Sequence, residues 1–329
     1  MRQQNKNNKL IVILGPTASG KTGMSVKLAK KYNGEIISAD SRQVYKGLNI
    51  GSGKITKKEM QSIPHYLLDV ANPKNRFSAF KYQKLTQKAI KKIQEKNKLP
   101  FMVGGTGFYI QSVVDGIVLP EVKPNWKLRT KLEKKSNEEL FLILQKLDPI
   151  RAQNIDQHNP RRLLRALEII ITTKKPVPTF TRHCEELTSD EAISTTGIAT
   201  PSPIGSARND GLNILQIGIK KNKQELAKLI NKRLITRLKN NAMINEVKKL
   251  HKQGISWKRF EELGLEYKFV AQYLQNKITN KEMQQKIQIE SLHFAKRQMT
   301  WFKRDKRIKW VNNYKQAEKL VKSFLKRGK

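Results

Sequence analysis

Near the amino end, Gly15-Pro16-Thr17-Ala18-Ser19-Gly20-Lys21-Thr22 satisfies G-x-x-x-x-G-K-[ST] at every position. Directly before it, Leu10–Leu14 is an apolar, β-branched run that reads as a buried strand, and Lys21–Lys31 after it has the pattern of a helix. Strand, glycine-rich loop and helix in that order are the setting the motif needs. The glycines let the backbone curl until successive N–H groups face an anion, and the helix start adds unpaired N–H groups and the positive end of its dipole. Lys21 then reaches terminal phosphate oxygens, and the Thr22 hydroxyl is placed for Mg²⁺. The motif calls for a di- or triphosphate and does not choose between them.

Further β-branched runs lie at Glu35–Ser38, Tyr66–Val70, Phe101–Val103 and Ile214–Ile219, with helical stretches such as Lys21–Lys31 and Ser78–Lys96 between them. Alternation of strand and helix predicts an α/β fold: a P-loop NTPase-like parallel sheet flanked by helices on both faces. The pattern changes after Asp115-Gly116. Lys127–Leu147 and Pro160–Ile171 carry apolar residues at helical spacing with no strand between them, which predicts a helical insertion domain. The expected organisation is a first part of the core at 1–117, the insertion at 118–182, a mobile polar loop at 183–211, and core completion with C-terminal helices at 212–329. One short strand is expected at Ile308–Val311.

With 66 Lys plus Arg against 27 Asp plus Glu, the chain carries a formal net charge of +39. An excess of that size concentrates polyanions at the surface, and nucleic acid is the expected partner. The lone Cys184 rules out an internal disulfide and a cysteine-built zinc finger. No apolar run approaches the roughly 20 residues that span a bilayer, and LIVIL is shorter than a signal-peptide core, so the expectation is a cytoplasmic protein without membrane contact.

A nucleoside triphosphatase should also present four apolar residues ending in a metal-holding Asp. Ile36-Ile37-Ser38-Ala39-Asp40 is interrupted by small polar residues and Tyr66-Leu67-Leu68-Asp69 is shorter, which weakens an RNA-stimulated ATPase while leaving a small-molecule kinase open. Asp40 follows the strand at Glu35–Ser38, expected next to the phosphate loop, at the carboxyl end where open α/β sheets bind ligands. There it can take a proton from an amine or hydroxyl, or merely cap a turn. Ser41, Arg42 and Gln43 beside it can hydrogen-bond bases or phosphates.

GPTASGKT, SADSRQVYKGLNIGSGK, PFMVGGTGFYIQ at 100–111, NPRRLLRALE at 159–168 and FAKRQMTWFKRD at 294–305 occur in an order and spacing that resembles the bacterial tRNA dimethylallyltransferases, or tRNA isopentenyltransferases. The resemblance runs from about Lys9 to Trp310. It implies transfer of a dimethylallyl group from dimethylallyl diphosphate to the exocyclic N6 amine of the adenosine 3′ of the anticodon, in tRNAs reading codons that begin with U. Gly15 to Thr22 would hold the leaving diphosphate with Mg²⁺, and a monomer is the family expectation. Asp40 falls at the family's catalytic aspartate, Thr106 in Gly104-Gly105-Thr106-Gly107 at a substrate-contacting threonine, and Lys21 completes the catalytic set.

For tRNA, the resemblance implies contacts from Asp40, Ser41, Arg42, Gln43, Thr106, Arg129, and the segment Arg161, Arg162, Leu163, Leu164 and Arg165. At helical spacing Arg161, Arg162 and Arg165 share a face opposite Leu163 and Leu167, either as an RNA grip or as a solvated face. Lys296 to Arg304 interleaves basic and aromatic residues, as expected near phosphates and bases, though Trp301 and Phe302 serve equally well as core. The family's compact Gly-Tyr-Lys/Arg-Glu element is altered here to Gly264-Leu265-Glu266-Tyr267-Lys268-Phe269. Counting back from Tyr273-Leu274 places Tyr267 and Lys268 at its RNA-contacting positions. The 183–211 loop is longer than the family's linker.

Overall fold

Leu10, Ile11, Val12, Ile13 and Leu14 are all fully buried in the computed structural model, which describes residues 8–177 and 211–326. Such a run is covered on both faces, and alternation sorts it. Leu10, Val12 and Leu14 pack with Tyr82, Ile90, Ile110 and Val113, whereas Ile11 and Ile13 pack with Val26, Leu28, Ala29 and Val321 on the other side. Burying each of these strand side chains is worth roughly 2 kcal/mol of apolar transfer. The elements that supply the two layers follow in order: β1 (Lys9–Leu14), α1 (Lys21–Lys31), β2 (Gly34–Ala39), α2 (Lys57–Met60), β3 (His65–Tyr66), α3 (Ala79–Glu95), β4 (Leu99–Gly104) and α4 (Gly107–Val114).

Four helices come next, α5 (Trp126–Leu132), α6 (Asn137–Leu147), α7 (Pro149–Gln153) and α8 (Pro160–Thr173). They belong to a second compact unit, described over residues 117–177, with a core of its own around Leu140, Leu144, Leu163, Leu167 and Ile170. The helical run expected over Lys127–Leu147 is two helices, because Asn125 caps α5 and Ser136 with Glu139 forms a capping box that starts α6 afresh. The first unit resumes with β5 (Asn213–Ile219), α9 (Lys223–Leu238), α10 (Ala242–Lys252), α11 (Trp257–Leu263), α12 (Leu265–Leu274), α13 (Asn280–Phe302), β6 (Lys309–Val311) and α14 (Tyr314–Lys326). Residues 183–210 of the expected polar loop lie outside the described residues, as does Cys184.

The sheet is wholly parallel, in the order β3-β2-β4-β1-β5-β6. The strand carrying Asp40 is therefore not beside the phosphate-loop strand: β4 lies between them, pairing Leu14↔Gly104 on one side and Ala39↔Gly104 on the other. A Cβ on Gly104 would sit 2.1 Å from the Ala39 carbonyl oxygen, so only glycine lets the three chain ends converge. The strand expected over Tyr66–Val70 ends at Tyr66, since Leu67 (φ 62°) and Asp69 (φ 56°) turn left-handed. The segment after Asp40 has its own cover: Val44, Tyr45 and Leu48 pack into a cluster with Leu234, Val247, Leu250, Phe260 and Tyr267 from the C-terminal helices.

Candidate active site

Three strand ends build the site. At the end of β1, Gly15 takes φ 152°, Ala18 φ 61° and Gly20 φ 88°, curling the chain into α1, whose first turn has no side-chain cap. The cap is missing where an anion would serve as one. Ser19 is 3% exposed, and its hydroxyl has no hydrogen-bond partner among the described residues, as suits a group held for a ligand. Lys21 Nζ donates to the Pro16 carbonyl at 2.6 Å, folding the lysine over its own loop. Burial of the ammonium, reinforced by the charge of Arg233 and opposed by Asp40, pulls its pKa down to about 7.

At the end of β2, Asp40 Oδ1 accepts the N–H groups of Arg42 at 2.8 Å and Gln43 at 3.2 Å. That Asx-type turn fixes the carboxylate. At the end of β4, Thr106 is the N-terminal residue of the turn into α4. Its N–H donates to the Ala39 carbonyl at 3.1 Å and its Oγ1 accepts the Ser41 N–H at 3.0 Å. Asp40 and Thr106 are thus tied to each other through the two residues flanking the aspartate, Ala39 and Ser41. Gln43 is held by Ser38 and the Gly53 carbonyl, while Arg42 is only half-buried. Beneath the turn, Tyr82 and Tyr109 stack with centroids 4.0 Å apart, and the Tyr82 hydroxyl donates to the Ser38 carbonyl. Burial raises both phenols well above their ordinary pKa, so they act as neutral packing.

Two residues of the site are invisible in the motif. Gln298 on α13 accepts the Thr17 N–H at 2.8 Å and donates to the Gly105 carbonyl at 2.8 Å, clipping the phosphate loop to the Thr106 turn. Arg233 on α9 donates to Thr17 Oγ1 at 3.3 Å, and burial beside Arg237 lowers its pKa to about 10. It remains a cation at neutral pH. The AKRQMTWF segment therefore contributes a positioning glutamine, and its aromatics are structural: Phe302 is in the core, and Trp301 covers Gly107, where a Cβ would meet its ring at 2.4 Å. Lys296, Arg297, Lys303 and Arg304 are exposed.

The expected tRNA contacts divide. Arg161 and Arg162 are exposed and Leu163 and Leu167 fully buried, as the helical spacing requires. Leu163 is thereby a core side chain of the helical unit, which leaves its side chain no exposed surface, and Leu164 is half-buried against the same core. Arg129 and Arg165 both turn onto Glu168, which is 0% exposed: Arg129 binds it through two hydrogen bonds at 2.8 and 2.7 Å, and Arg165 through one at 2.5 Å. Burial pushes the Glu168 carboxyl up, but the Arg129 and Arg165 hydrogen bonds outweigh it and hold the pKa below the usual range. Tyr267 is a further correction: at 1% exposure its side chain is core, and its hydroxyl is satisfied there by the half-buried Glu246 at 2.9 Å. Lys268 is half-buried, with its ammonium 5.3 Å from the Phe269 ring centroid.

For Mg²⁺ the donor set is small. Among the described residues there is no cluster of three or more His, Cys, Asp or Glu, and Asp69 is paired with Lys54 at 2.5 Å. Thr22 lies in the exposed first turn of α1, where one hydroxyl plus ligand phosphate oxygens and water would suit an ion that retains much of its hydration.

Fold and site together define a P-loop-like α/β protein in which an anion cradle meets a fixed carboxylate at the carboxyl edge of a parallel sheet. The IPP transferase family model matches residues 43–305. A tRNA dimethylallyltransferase of Halothermothrix orenii is 36% identical over 97% of this chain and 94% of its own length, and one of Anoxybacillus flavithermus 38% identical over 92% and 90%. The crystal structure of full-length tRNA isopentenylpyrophosphate transferase from Bacillus halodurans matches with a TM-score of 0.67 at 32% identity over 98% of both chains. A eukaryotic dimethylallyltransferase acting on tRNA matches at 0.72 over 96% of this chain and 77% of that one, and at 24% identity supports the fold alone. The chain belongs to the IPP transferase family. That membership does not favour the kinase and ATPase alternatives.

Proposed function

We propose that this chain transfers the dimethylallyl group of dimethylallyl diphosphate to the exocyclic N6 amine of the adenosine 3′ of the anticodon in tRNAs reading U-initial codons, releasing diphosphate. The observation that carries the reading is the junction of Lys21, Asp40 and Thr106 on one sheet edge, with Arg233 over the phosphate loop. The allylic carbon–oxygen bond breaks, a carbon–nitrogen bond forms, and one amine proton must leave. Asp40, oriented by two backbone N–H groups, accepts that proton. Thr106 already accepts the Ser41 N–H, so its own hydroxyl hydrogen is available to orient the base.

Negative charge grows on the leaving diphosphate, and Lys21, Arg233 and the loop N–H groups neutralise it where it develops. Mg²⁺ would be held by Thr22 and diphosphate oxygens, supplying further neutralisation of that charge. The target base must leave the anticodon stack to reach the sheet edge. Exposed Arg161, Arg162, Lys296 and Arg297 are cations that can meet RNA phosphates. No described helix is long and apolar enough to cross a membrane. The family resemblance supports a cytoplasmic monomer acting on its RNA substrate. Incubation with tRNA and labelled dimethylallyl diphosphate, followed by nucleoside analysis, should yield label on an adenosine beside the anticodon. Absence of label, together with phosphate release from ATP, would replace this function with the ATPase one.

A further inference from the structure

Glu246 on α10 is the acceptor for a whole loop. Its Oε2 accepts the N–H groups of Asn49 at 3.0 Å and Ile50 at 2.7 Å, and its Oε1 accepts the Gly51 N–H at 3.1 Å and the Tyr267 hydroxyl at 2.9 Å. The same phenol oxygen accepts the next N–H in line, that of Ser52, at 3.1 Å. Four consecutive backbone donors are thus taken by one carboxylate and one buried phenol. Gly51 has no Cβ to keep the loop off the ring: one would lie 2.7 Å from Tyr267 Cζ.

The carbonyls of that loop face two arginines one helical turn apart on α9. Arg237 donates to the Gly51 carbonyl at 2.9 Å and pairs with Glu266 at 2.6 Å, and Arg233 lies 3.4 Å from the carbonyls of Ser52 and Gly53. A Cβ on Gly53 would fall 1.6 Å from Arg233 Nη2 and 1.8 Å from Arg237 Nη2, so both guanidinium groups lie directly on this backbone. Arg233 in turn reaches Thr17 of the phosphate loop. The connection therefore runs from Glu246 and Tyr267, through the backbone of 49–53, to the cation that faces the phosphates.

We propose that Glu246 and Tyr267 are positioning residues for the diphosphate end of the reaction, fixing the 49–52 backbone so that Arg237 is locked on the Gly51 carbonyl and Arg233, beside the Ser52 and Gly53 carbonyls, is aimed at the phosphate loop. This rests on the transferase reading above, and it gives Tyr267 a role in the interior instead of on RNA. Burial and the neighbouring Glu246 charge raise the Tyr267 phenol well above its ordinary pKa, which keeps its proton available to Glu246 throughout the working range. Replacing Glu246 by Gln turns one accepting oxygen into a donor facing donors. Replacing Tyr267 by Phe strands the Ser52 N–H.

The test uses the full chain and inorganic diphosphate, measured calorimetrically, beside tRNA affinity by filter binding and the two Michaelis constants. Glu246→Gln, Tyr267→Phe and Gly51→Ala should each weaken diphosphate by about tenfold and raise KM for dimethylallyl diphosphate similarly, with tRNA affinity held within about twofold. A purely structural role would lower both affinities together. Equal loss of both, or unchanged diphosphate binding in the variants that keep the parent's near-ultraviolet dichroism, overturns the proposal. Tyr267→Phe, the mildest change, decides between these outcomes should Glu246→Gln fail to fold. A parent that binds diphosphate but labels no tRNA refutes the transferase reading alone, whereas a parent that binds no diphosphate refutes both.

Discussion

Lys21 makes a quantitative prediction possible. Its pKa of about 7 in the ligand-free protein arises from burial and from Arg233, and both work against the charged form. A bound diphosphate reverses the balance, because an anion beside the ammonium favours the charged form and returns the pKa toward its ordinary value near 10.4. The free state thus has the lower pKa and the bound state the higher one, so ligand binding must take up a proton between those two values. Uptake from Lys21 should be near zero at pH 5.5, about half a proton at pH 7 and close to one proton at pH 8.5, and affinity should fall by up to about tenfold per pH unit well above 7. Diphosphate titrates in the same range, so the measurement is a difference between the parent and Lys21→Arg, whose guanidinium never loses its proton. Calorimetry in buffers of contrasting ionisation enthalpy reads the uptake directly. Identical uptake in the two proteins at pH 8.5 would show that Lys21 is already charged in the free protein and that its enclosure by Pro16 and Arg233 has no electrostatic consequence.

Asp40→Ala should leave tRNA binding largely intact and lower turnover by about 10²-fold or more, measured by label transfer at saturating substrates. Glu168→Gln removes a fully buried charge between Arg129 and Arg165 and should destabilise the helical unit by about 3 kcal/mol in urea titrations followed through Trp126. The Glu168 pKa is depressed in the folded state, so its contribution is complete above the ordinary carboxylate range and is lost as pH falls through the folded value; the variant's deficit should shrink accordingly in acid. Arg161→Ala and Arg162→Ala should each reduce the salt slope of tRNA binding by about one unit without altering stability, whereas Arg165→Ala should act chiefly on stability.

What was legible in the sequence was local. The phosphate loop, the strand before it and the helix after it are contiguous, so spacing alone could place Lys21 and Thr22; Asp40 and Thr106 each follow a strand and landed where strand ends must lie. The order of those strands was not legible. Insertion of β4 between β1 and β2 depends on Gly104 tolerating the Ala39 carbonyl, a contact between segments far apart in the chain that no window of sequence displays. The helical readings failed where a cap interrupted a continuous apolar pattern: Ser136 with Glu139 was present to be read, and it divides Lys127–Leu147 in two.

Function-bearing arginines were harder still, because in a chain with 66 basic residues a buried cation looks like a surface one. The discriminating quantity is the partner, and the partners are distant in sequence. Glu168 pairs with Arg129, Glu266 with Arg237, and Glu246 with the 49–51 backbone and Tyr267, so a scarce set of carboxylates marks which positive or polar groups face inward. With only 27 acidic residues available, each of these three holds a cation or a row of N–H groups away from solvent. The net charge of +39 therefore says that RNA is attracted, but not by which residues. Arg129, Arg165 and Arg237 count toward it while paired with Glu168 or Glu266, whereas Arg161, Arg162, Lys296 and Arg297 are exposed, and if they grip RNA their removal should change salt dependence and not stability.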